Sequence, residues 1–314
     1  MNSELLRVQR LKKYFSTKKG LLYAVDDISF EVTEGETLGL VGESGCGKST
    51  TGRAILRLHE PTGGNVYFAG EDILTYRPSR MKEMRKKMQI VFQDPYSSLN
   101  PRMSVQSLIE DSLKVNHIGD KPERQKKVKE IMDVVGLEKR LVHSYPHELD
   151  GGRRQRIGIA RALILDPKFV VMDEPVSALD VCIQAQILNL LAKLQKQFRL
   201  TYLFISHNLS VVKHISNRIA VMYLGKIVEV SDHNTIFENP LHPYTKALIS
   251  SIPIPKVNNM RERIILEGDV PSPINPPTGC RFQARCKECL DICSEVQPEL
   301  KAFAKSQVAC HLYK

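Results

Sequence analysis

The chain has 314 residues, 42% hydrophobic and 25% charged, which is typical of a globular protein and excludes a disordered or collagen-like chain. The formal net charge of +10 is compatible with a nucleotide, a nucleic acid or an anionic membrane surface as partner, and equally with an ordinary solvated surface. Its apolar runs are too short to cross a bilayer and its N-terminus has no apolar signal segment, so we expect a cytoplasmic protein.

The first half of the chain alternates strand and helix patterns. Residues 22–45 are typical of β-strands, and the apolar run 37–41 predicts a buried strand leading directly into a glycine-rich loop. The spacing also predicts a helix over 49–58, a strand pair over 65–75, an exposed basic helix over 77–89 and a strand over 88–92. Apolar residues at helical spacing predict a helical insertion over 101–149.

The second half predicts a mostly parallel sheet. The pattern indicates helices over 154–165, 181–198 and 208–216, which alternate with strands over 168–172 and 201–205. Buried strands that alternate with helices are typical of parallel sheets. Two closing strands are predicted over 219–230, and from about residue 239 a proline-rich stretch predicts a tail or a small second module.

The glycine-rich loop fits the pattern G-x-x-x-x-G-K-[ST] in full. Its residues and the one that follows are Gly42, Glu43, Ser44, Gly45, Cys46, Gly47, Lys48, Ser49 and Thr50. Glycines let successive backbone N–H groups turn inward around an anion, and the following helix adds its positive end. We expect Lys48 to reach the β- and γ-phosphates of a nucleotide and Ser49 to bind Mg²⁺.

An apolar strand ends in two carboxylates, Asp173 and Glu174. In α/β sheets the carboxyl ends of the strands face the ligand crevice, so both should face the phosphates. Asp173 is expected to hold Mg²⁺, and Glu174 to orient or deprotonate the attacking water.

Further motifs between and after these two make the pattern specific. The segment 149–156 (LDGGRRQR) resembles the signature of ATP-binding-cassette (ABC) ATPases, usually written LSGGQxQR. Gln93 is similar to the Q-loop glutamine of that family, Asp180 in SALD to its D-loop aspartate, and His207 to its switch histidine. The motifs occur in the family's order over residues 1–235.

The resemblance implies a P-loop ABC nucleotide-binding domain over residues 1–238, with a mostly parallel core sheet, an antiparallel β subdomain and a helical subdomain at about 97–152. It also implies a head-to-tail dimer, in which the signature residues Asp150, Gly151 and Gly152 complete the partner's ATP site. Gln93 would join Ser49 and Asp173 at Mg²⁺. An aromatic residue should stack on adenine, and Phe15 is preferred over Tyr14 and Tyr23 by its position before the first core strand.

Two segments narrow the resemblance to oligopeptide/dipeptide and nickel importers, namely QDPYSSLNPRMSV (93–105) and PLHPYTKAL (240–248). The second segment opens a C-terminal extension, which is predicted over 239–314. Two short segments, TGR (51–53) and LHEPT (58–62), resemble the second of the two paired ATPases of such importers more than the first. This implies peptide uptake at the cytoplasmic membrane face, with a paralogous ATPase, two transmembrane permease subunits and an extracytoplasmic binding protein, and without nucleic acid. The alternatives are nickel or another small solute as cargo, a non-hydrolysing module, or a nucleic-acid-associated ATPase.

Five of the seven cysteines lie in the last 35 residues. Cys280, Cys286, Cys293 and Cys310 are four thiolates that could hold zinc or a [4Fe–4S] cluster. Their gaps are wider than those of zinc ribbons, and importers of the resembling family have an iron–sulfur cluster here, so the cluster is preferred over zinc. Cys289 would be a spare thiol.

The signature departs from the family pattern at two positions. Asp150 stands where serine is usual, and Arg153 where glutamine is usual. An ionised carboxylate would repel the γ-phosphate of the ATP bound to the partner's phosphate loop and weaken the site that this chain's signature completes. This predicts a dimer with two unequal ATP sites. Alternatively, Arg153 or Arg154 neutralises Asp150 and little activity is lost.

Overall fold

The structure, a computed structural model, describes residues 3–252 and 263–313. Residues 253–262 and 314 of the predicted extension lie outside the described residues. The chain forms two compact units, one made of Met1–Thr75 with Phe204–Lys314 and the other of Tyr76–Leu203. The discontinuous unit contains both the phosphate loop and the C-terminal extension, whereas the continuous unit contains the signature.

Strands and helices are interleaved along the chain. The strands are β1 (Glu4–Thr17), β2 (Gly20–Thr33), β3 (Thr37–Val41), β4 (Gly63–Phe68), β5 (Glu71–Asp72), β6 (Met88–Val91), β7 (Phe169–Asp173), β8 (Thr201–Ser206), β9 (Arg218–Tyr223), β10 (Lys226–Asp232), β11 (Lys301–Phe303) and β12 (Ser306–Val308). The helices are α1 (Lys48–Ile55), α2 (Pro78–Lys87), α3 (Pro95–Ser98), α4 (Val105–Val115), α5 (Lys121–Val134), α6 (Gly151–Leu163), α7 (Val181–Phe198), α8 (Leu209–Ile215), α9 (His233–Glu238), α10 (Pro243–Ser250) and α11 (Ile292–Glu295). Within the described residues, no helix combines the length and the apolar character needed to cross a membrane.

An antiparallel sheet in the discontinuous unit has the order β2-β1-β4-β5. The sequence predicts strands only from residue 22, so β1 is an addition. Its apolar residues Leu6, Val8 and Leu11 are buried, but register shifts against β2 interrupt the regular alternation that marks a strand. The antiparallel β subdomain implied by the resemblance is therefore larger than the sequence pattern indicates.

The second sheet of this unit contains β11-β12-β10-β9-β3 in that order. Strands β3 and β9 are parallel, while β9, β10, β12 and β11 pair antiparallel in turn. All five residues of β3 are buried, as predicted for a strand that feeds the phosphate loop. The two last strands come from the extension, so this part of the chain adds to the same sheet.

The continuous unit contains the parallel pair β6 and β7, in register from Met88 with Phe169 to Val91 with Met172. The predicted helical insertion is confirmed as α4 and α5, and the basic helix as α2. The sequence places the start of the signature helix at Arg154, which is wrong. Helix α6 begins at Gly151 because the Asp150 side chain caps it by accepting a hydrogen bond from the Arg153 N–H.

Candidate functional site

The phosphate loop is a strand–loop–helix unit whose backbone requires glycine. Gly42 and Gly47 have positive φ angles of 155° and 107°, and a Cβ atom would lie 2.1 Å from the Met222 oxygen at the first and 2.0 Å from the Ala24 oxygen at the second. Helix α1 begins at Lys48, directly after this turn. The loop therefore forms the cradle at a helix N-terminus that suits a phosphate group.

The Lys48 side chain lies inside the loop. It is buried, and its Nζ donates to the carbonyl oxygens of Gly42 and Glu43, each at 2.9 Å. Burial raises the pKa of the nearby Cys46 thiol, so this thiol stays protonated. Lys48 is thus the cation of the loop, held by two backbone acceptors. The roles of Ser44, Gly45, Ser49 and Thr50 as nucleotide contacts stay predictions.

Glu43 joins the phosphate loop to the C-terminal extension. Its N–H donates to Tyr244 Oη at 2.9 Å, and its carboxylate accepts from Arg285 Nη1 at 2.9 Å. Sequence reasoning assigned no role to either partner. Tyr244 lies within the segment that marks the subfamily, whereas nothing local to residue 285 indicates a contact with residue 43.

In the continuous unit, the predicted Q-loop glutamine contacts the predicted catalytic carboxylate. Gln93 Nε2 donates to Glu174 Oε2 at 2.9 Å, and the neighbouring Asp173 is fully buried. Glu174 adopts a left-handed backbone with φ of 48°, a strained conformation for a residue with a Cβ atom. The Ser177 N–H and hydroxyl both donate to its carbonyl oxygen, at 3.3 and 3.1 Å, and hold this turn. These contacts hold both the backbone and the side chain of Glu174, whose role toward the attacking water stays a prediction.

The signature carboxylate has a cationic partner. Arg153 Nη1 lies 3.1 Å from Asp150 Oδ2, and Arg153 Nη2 lies 2.9 Å from Glu138 Oε1. Arg154 instead donates to the Pro146 carbonyl oxygen at 2.7 Å. Of the two arginines considered from the sequence, Arg153 is therefore the one that pairs with Asp150.

The glycines of the signature lie close to side chains of the D-loop and of α7. A Cβ atom on Gly151 would lie 2.9 Å from Leu179 Cδ2, and one on Gly152 would lie 2.7 Å from Ile183 Cγ2. Asp180 caps helix α7 by accepting a hydrogen bond from the Ile183 N–H at 2.9 Å. Signature and D-loop are thus packed against each other within one unit.

The predicted roles of His207 and of the adenine-stacking residue stay predictions. His207 follows β8 and is exposed. The rings of Tyr14 and Tyr23 lie 4.5 Å apart and contact each other. Phe15 is half-buried, with the Lys13 ammonium 4.7 Å from its ring centre. This arrangement is compatible with Phe15 as the stacking residue, which stays a prediction.

The cysteines of the extension lie near one another, but their side chains are not arranged as the ligands of a metal ion. The Cys280 N–H donates to the Cys293 carbonyl oxygen at 2.8 Å, and all the cysteines are free thiols. Burial raises the pKa of Cys280 to about 11, and the charges of Cys293, Cys310 and Cys286 add to the rise. However, no three His, Cys, Asp or Glu side chains in residues 3–252 and 263–313 are arranged to hold a metal ion.

Known proteins match this chain over almost its full length. Residues 25–177 match the ABC transporter family, and residues 228–293 match the oligopeptide/dipeptide transporter C-terminal region. The oligopeptide transport ATP-binding protein AppF of Bacillus subtilis (strain 168) is 51% identical over 320 residues, which cover 98% of this chain and 97% of that protein. The chain belongs to the ATP-binding proteins of oligopeptide/dipeptide ABC transporters. The dipeptide transport ATP-binding protein DppF of Escherichia coli (strain K12) is 48% identical, with 99% of this chain and 95% of that protein covered.

Solved structures agree with this membership. The dimeric, post-hydrolysis ATP-binding cassette MJ0796 with ADP and Pi is 28% identical, with a TM-score of 0.67 over 73% of this chain and 98% of that one. The cbiO1 protein from Clostridium perfringens, part of an ABC transporter complex, is 26% identical with a TM-score of 0.68 over 76% of this chain and 92% of that one. This ABC protein therefore has the P-loop ATPase fold predicted from its motifs and hydrolyses ATP.

Proposed function

We propose that this ABC ATPase powers the uptake of dipeptides or oligopeptides. The observation on which this depends is the match of residues 228–293 to the oligopeptide/dipeptide transporter C-terminal region, together with relatives whose names specify those cargoes. Nickel or another small solute as cargo remains the alternative, because the ATPase itself does not contact the cargo.

We further propose a head-to-tail dimer with a paralogous ATPase, docked on the cytoplasmic side of two permease subunits that receive peptide from an extracytoplasmic binding protein. The solved dimer of a similar cassette supports pairing of this kind. In the proposed dimer, one ATP would lie between the phosphate loop of the partner and residues 150–152 of this chain. The other ATP would lie between the phosphate loop of this chain and the signature of the partner. The proposed ligands of Mg²⁺ are Ser49, Gln93 and Asp173.

The chemistry of the site follows from the contacts of its residues. Lys48 supplies positive charge next to the phosphates, and bound Mg²⁺ would neutralise the charge that develops on them. Glu174, held by its turn and by Gln93, accepts the proton of the attacking water, and His207 is proposed to contact the γ-phosphate. ATP binding and water activation therefore depend on different residues.

Glu174→Gln tests this division. The substitution keeps the shape of the side chain and removes its basicity, so ATP should still bind while turnover falls by about a hundredfold or more. ATP hydrolysis and peptide uptake are measured on the complex reconstituted in vesicles, with and without peptide-loaded binding protein. A rate within tenfold of the unsubstituted protein would contradict the role of Glu174. Stimulation by DNA or RNA instead of peptide would favour the nucleic-acid alternative.

We also propose a [4Fe–4S] cluster on Cys280, Cys286, Cys293 and Cys310, with Zn²⁺ as the alternative. Support comes from the closeness of these thiols within one small module, since the charges of Cys293 and Cys310 raise the pKa of both Cys280 and Cys286. The cluster would cross-link a segment that has little core of its own. Protein purified without oxygen should contain about four irons per chain and be brown. Cys280→Ser should lose the colour, whereas colourless unsubstituted protein with one zinc per chain would decide for the alternative.

A further inference from the structure

Three groups of Glu43 contact different parts of the molecule. Its N–H donates to Tyr244 Oη, its carboxylate pairs with Arg285, and its carbonyl oxygen accepts from Lys48 Nζ. The first two contacts come from the extension, and the third leads to the lysine of the phosphate loop. Glu43 therefore joins the extension to the loop through a single residue.

The Arg285 contact is a two-pronged, largely buried pair. Nη1 and Nη2 lie 2.9 and 3.3 Å from the two carboxylate oxygens of Glu43, and the Arg285 side chain is only 8% exposed. Nη1 also lies 3.5 Å from Tyr223 Oη. Fork-shaped arginine–carboxylate pairs fix orientation as well as charge, and removing one member of a buried pair leaves an uncompensated charge.

Tyr244 holds the backbone of Glu43 from a second direction. Burial raises the pKa of Tyr244, so the phenol is neutral. Its ring lies 4.7 Å from the ring of Tyr223 and 5.5 Å from that of Phe282, measured between centroids. The hydroxyl is thus fixed by an aromatic cluster made from β9 and the extension.

The same extension forms a wall beside the loop. A cavity of about 220 Å³ is lined by loop residues 43–46, by 223–224 and by residues 270–273 of the extension. Residues 273 and 275 are themselves attached to the antiparallel sheet, since the Tyr23 N–H donates to the Pro273 oxygen at 3.0 Å and the Asn275 N–H to the Leu21 oxygen at 3.1 Å. The loop is therefore supported on this side by chain that lies more than 200 residues away in sequence.

We propose that Arg285 and Tyr244 are positioning residues for the phosphate loop: they hold Glu43, and through its carbonyl oxygen they set the position of Lys48 for the nucleotide. The proposal depends on the assignment of residues 42–49 as the ATP-binding loop. It predicts that the extension contributes to ATP affinity without contacting ATP.

The first experiment compares ATP affinity in full-length variants. Arg285→Ala should raise the Kd for ATP by about tenfold, because Glu43 then loses one of the two contacts that hold it and its carbonyl oxygen no longer fixes Lys48. The matched control is Lys246→Ala, which removes another ion pair of the extension, Lys246 with Glu288 at 3.4 Å. This control should leave the Kd unchanged. Lys48→Ala serves as the reference for the loop itself.

The second experiment separates positioning from folding. In a Glu43→Gln background, Arg285→Ala should change the Kd by less than about threefold, since the carboxylate through which Arg285 holds the loop is already gone. Tyr244→Phe removes only the hydroxyl, and should raise the Kd by about fivefold and speed hydrogen exchange at residues 43–44. It provides the test if Arg285→Ala does not fold.

The outcomes distinguish the inference from its premise. If Lys48→Ala weakens ATP binding while Arg285→Ala and Tyr244→Phe do not, the positioning role is wrong and the loop assignment stands. The positioning role is equally wrong if Arg285→Ala has the same effect with and without the Glu43 carboxylate. If Lys48→Ala leaves the Kd unchanged, the assignment of the phosphate loop fails first.

Discussion

The phosphate loop and the signature segment each contain a carboxylate that precedes a helix in the sequence. Glu43 precedes α1 and Asp150 caps α6. Both carboxylates are paired with an arginine, but Arg153 is three residues from its partner, whereas Arg285 is 242 residues away. One negative charge is thus neutralised locally and the other by a distant part of the chain.

The two pairs also differ in burial. Asp150 and Arg153 are 57% and 40% exposed in their side chains, while Glu43 and Arg285 are 26% and 8% exposed. Exposed ion pairs contribute little to stability because water and salt screen them, but buried ones are costly to break. The signature pair therefore adjusts a local charge, and the phosphate-loop pair also fixes structure.

Charge reversal should separate the two regions most strongly. Arg285→Glu would place two carboxylates together beside the phosphate loop and should weaken ATP binding to the full chain by roughly a hundredfold. Arg153→Glu should change the same Kd by less than about twofold, because the signature serves the partner's nucleotide. Titration with a fluorescent ATP analogue measures the Kd of both variants. Equal losses of affinity would contradict the different roles of the two ion pairs.

A pH experiment tests the part of the extension that contacts the phosphate loop, through the pH dependence of the free energy of unfolding. Burial lowers the pKa of His242, which precedes α10, to about 3. Because the unfolded chain binds a proton below about pH 6.5 and the folded chain does not, stability is lost as the pH falls from 7 to 5, by about 2 kcal/mol. His242→Asn keeps a helix-capping acceptor without titrating, so its unfolding free energy should fall less over this range. Denaturant titrations at both pH values measure this, and parallel losses in the two proteins would contradict it.

The local pair at the signature can be tested in the reconstituted dimer, with Glu174→Gln silencing the chain's own site. Arg153→Ala should slow the remaining hydrolysis by up to about tenfold, because Asp150 then repels the partner's γ-phosphate. Asp150→Ser should change the rate by less than about threefold, since Arg153 already pairs with the carboxylate. A tenfold acceleration by Asp150→Ser would instead support the asymmetric pair.

Salt should produce the smallest difference. Between about 0.05 and 0.5 M salt, the effect of Arg153→Ala on the partner site should shrink by roughly half, because exposed charges are screened. The effect of Arg285→Ala on ATP affinity should persist. Repeating the two measurements at both salt concentrations tests this, and a loss of the Arg285 effect at high salt would place that pair among the exposed ones.

Local patterns predict much of the fold and name the candidate site residues, whose roles stay predictions. The buried strand before Gly42 and the helix after it are predictable because the motif spans neighbouring residues. The sequence also offers Arg153 and Arg154 as partners of Asp150, and the structure pairs it with Arg153. Strand β1 was missed because its bulges disturb the alternation. The contact between Glu43 and Arg285 was not predictable, because it depends on tertiary packing of segments separated by 242 residues.

The discontinuity of the unit that contains the phosphate loop has a consequence for synthesis. The segment Tyr76–Leu203 is continuous and leaves the ribosome in one piece, so we expect it to fold early. Strand β3 must instead wait for its parallel neighbour β9, and β10 for β12 at residues 306–308. Nascent chains stalled before residue 218 would present the phosphate loop without strands β9, β10 and β12 of its sheet, so the ability to bind nucleotide should be acquired last.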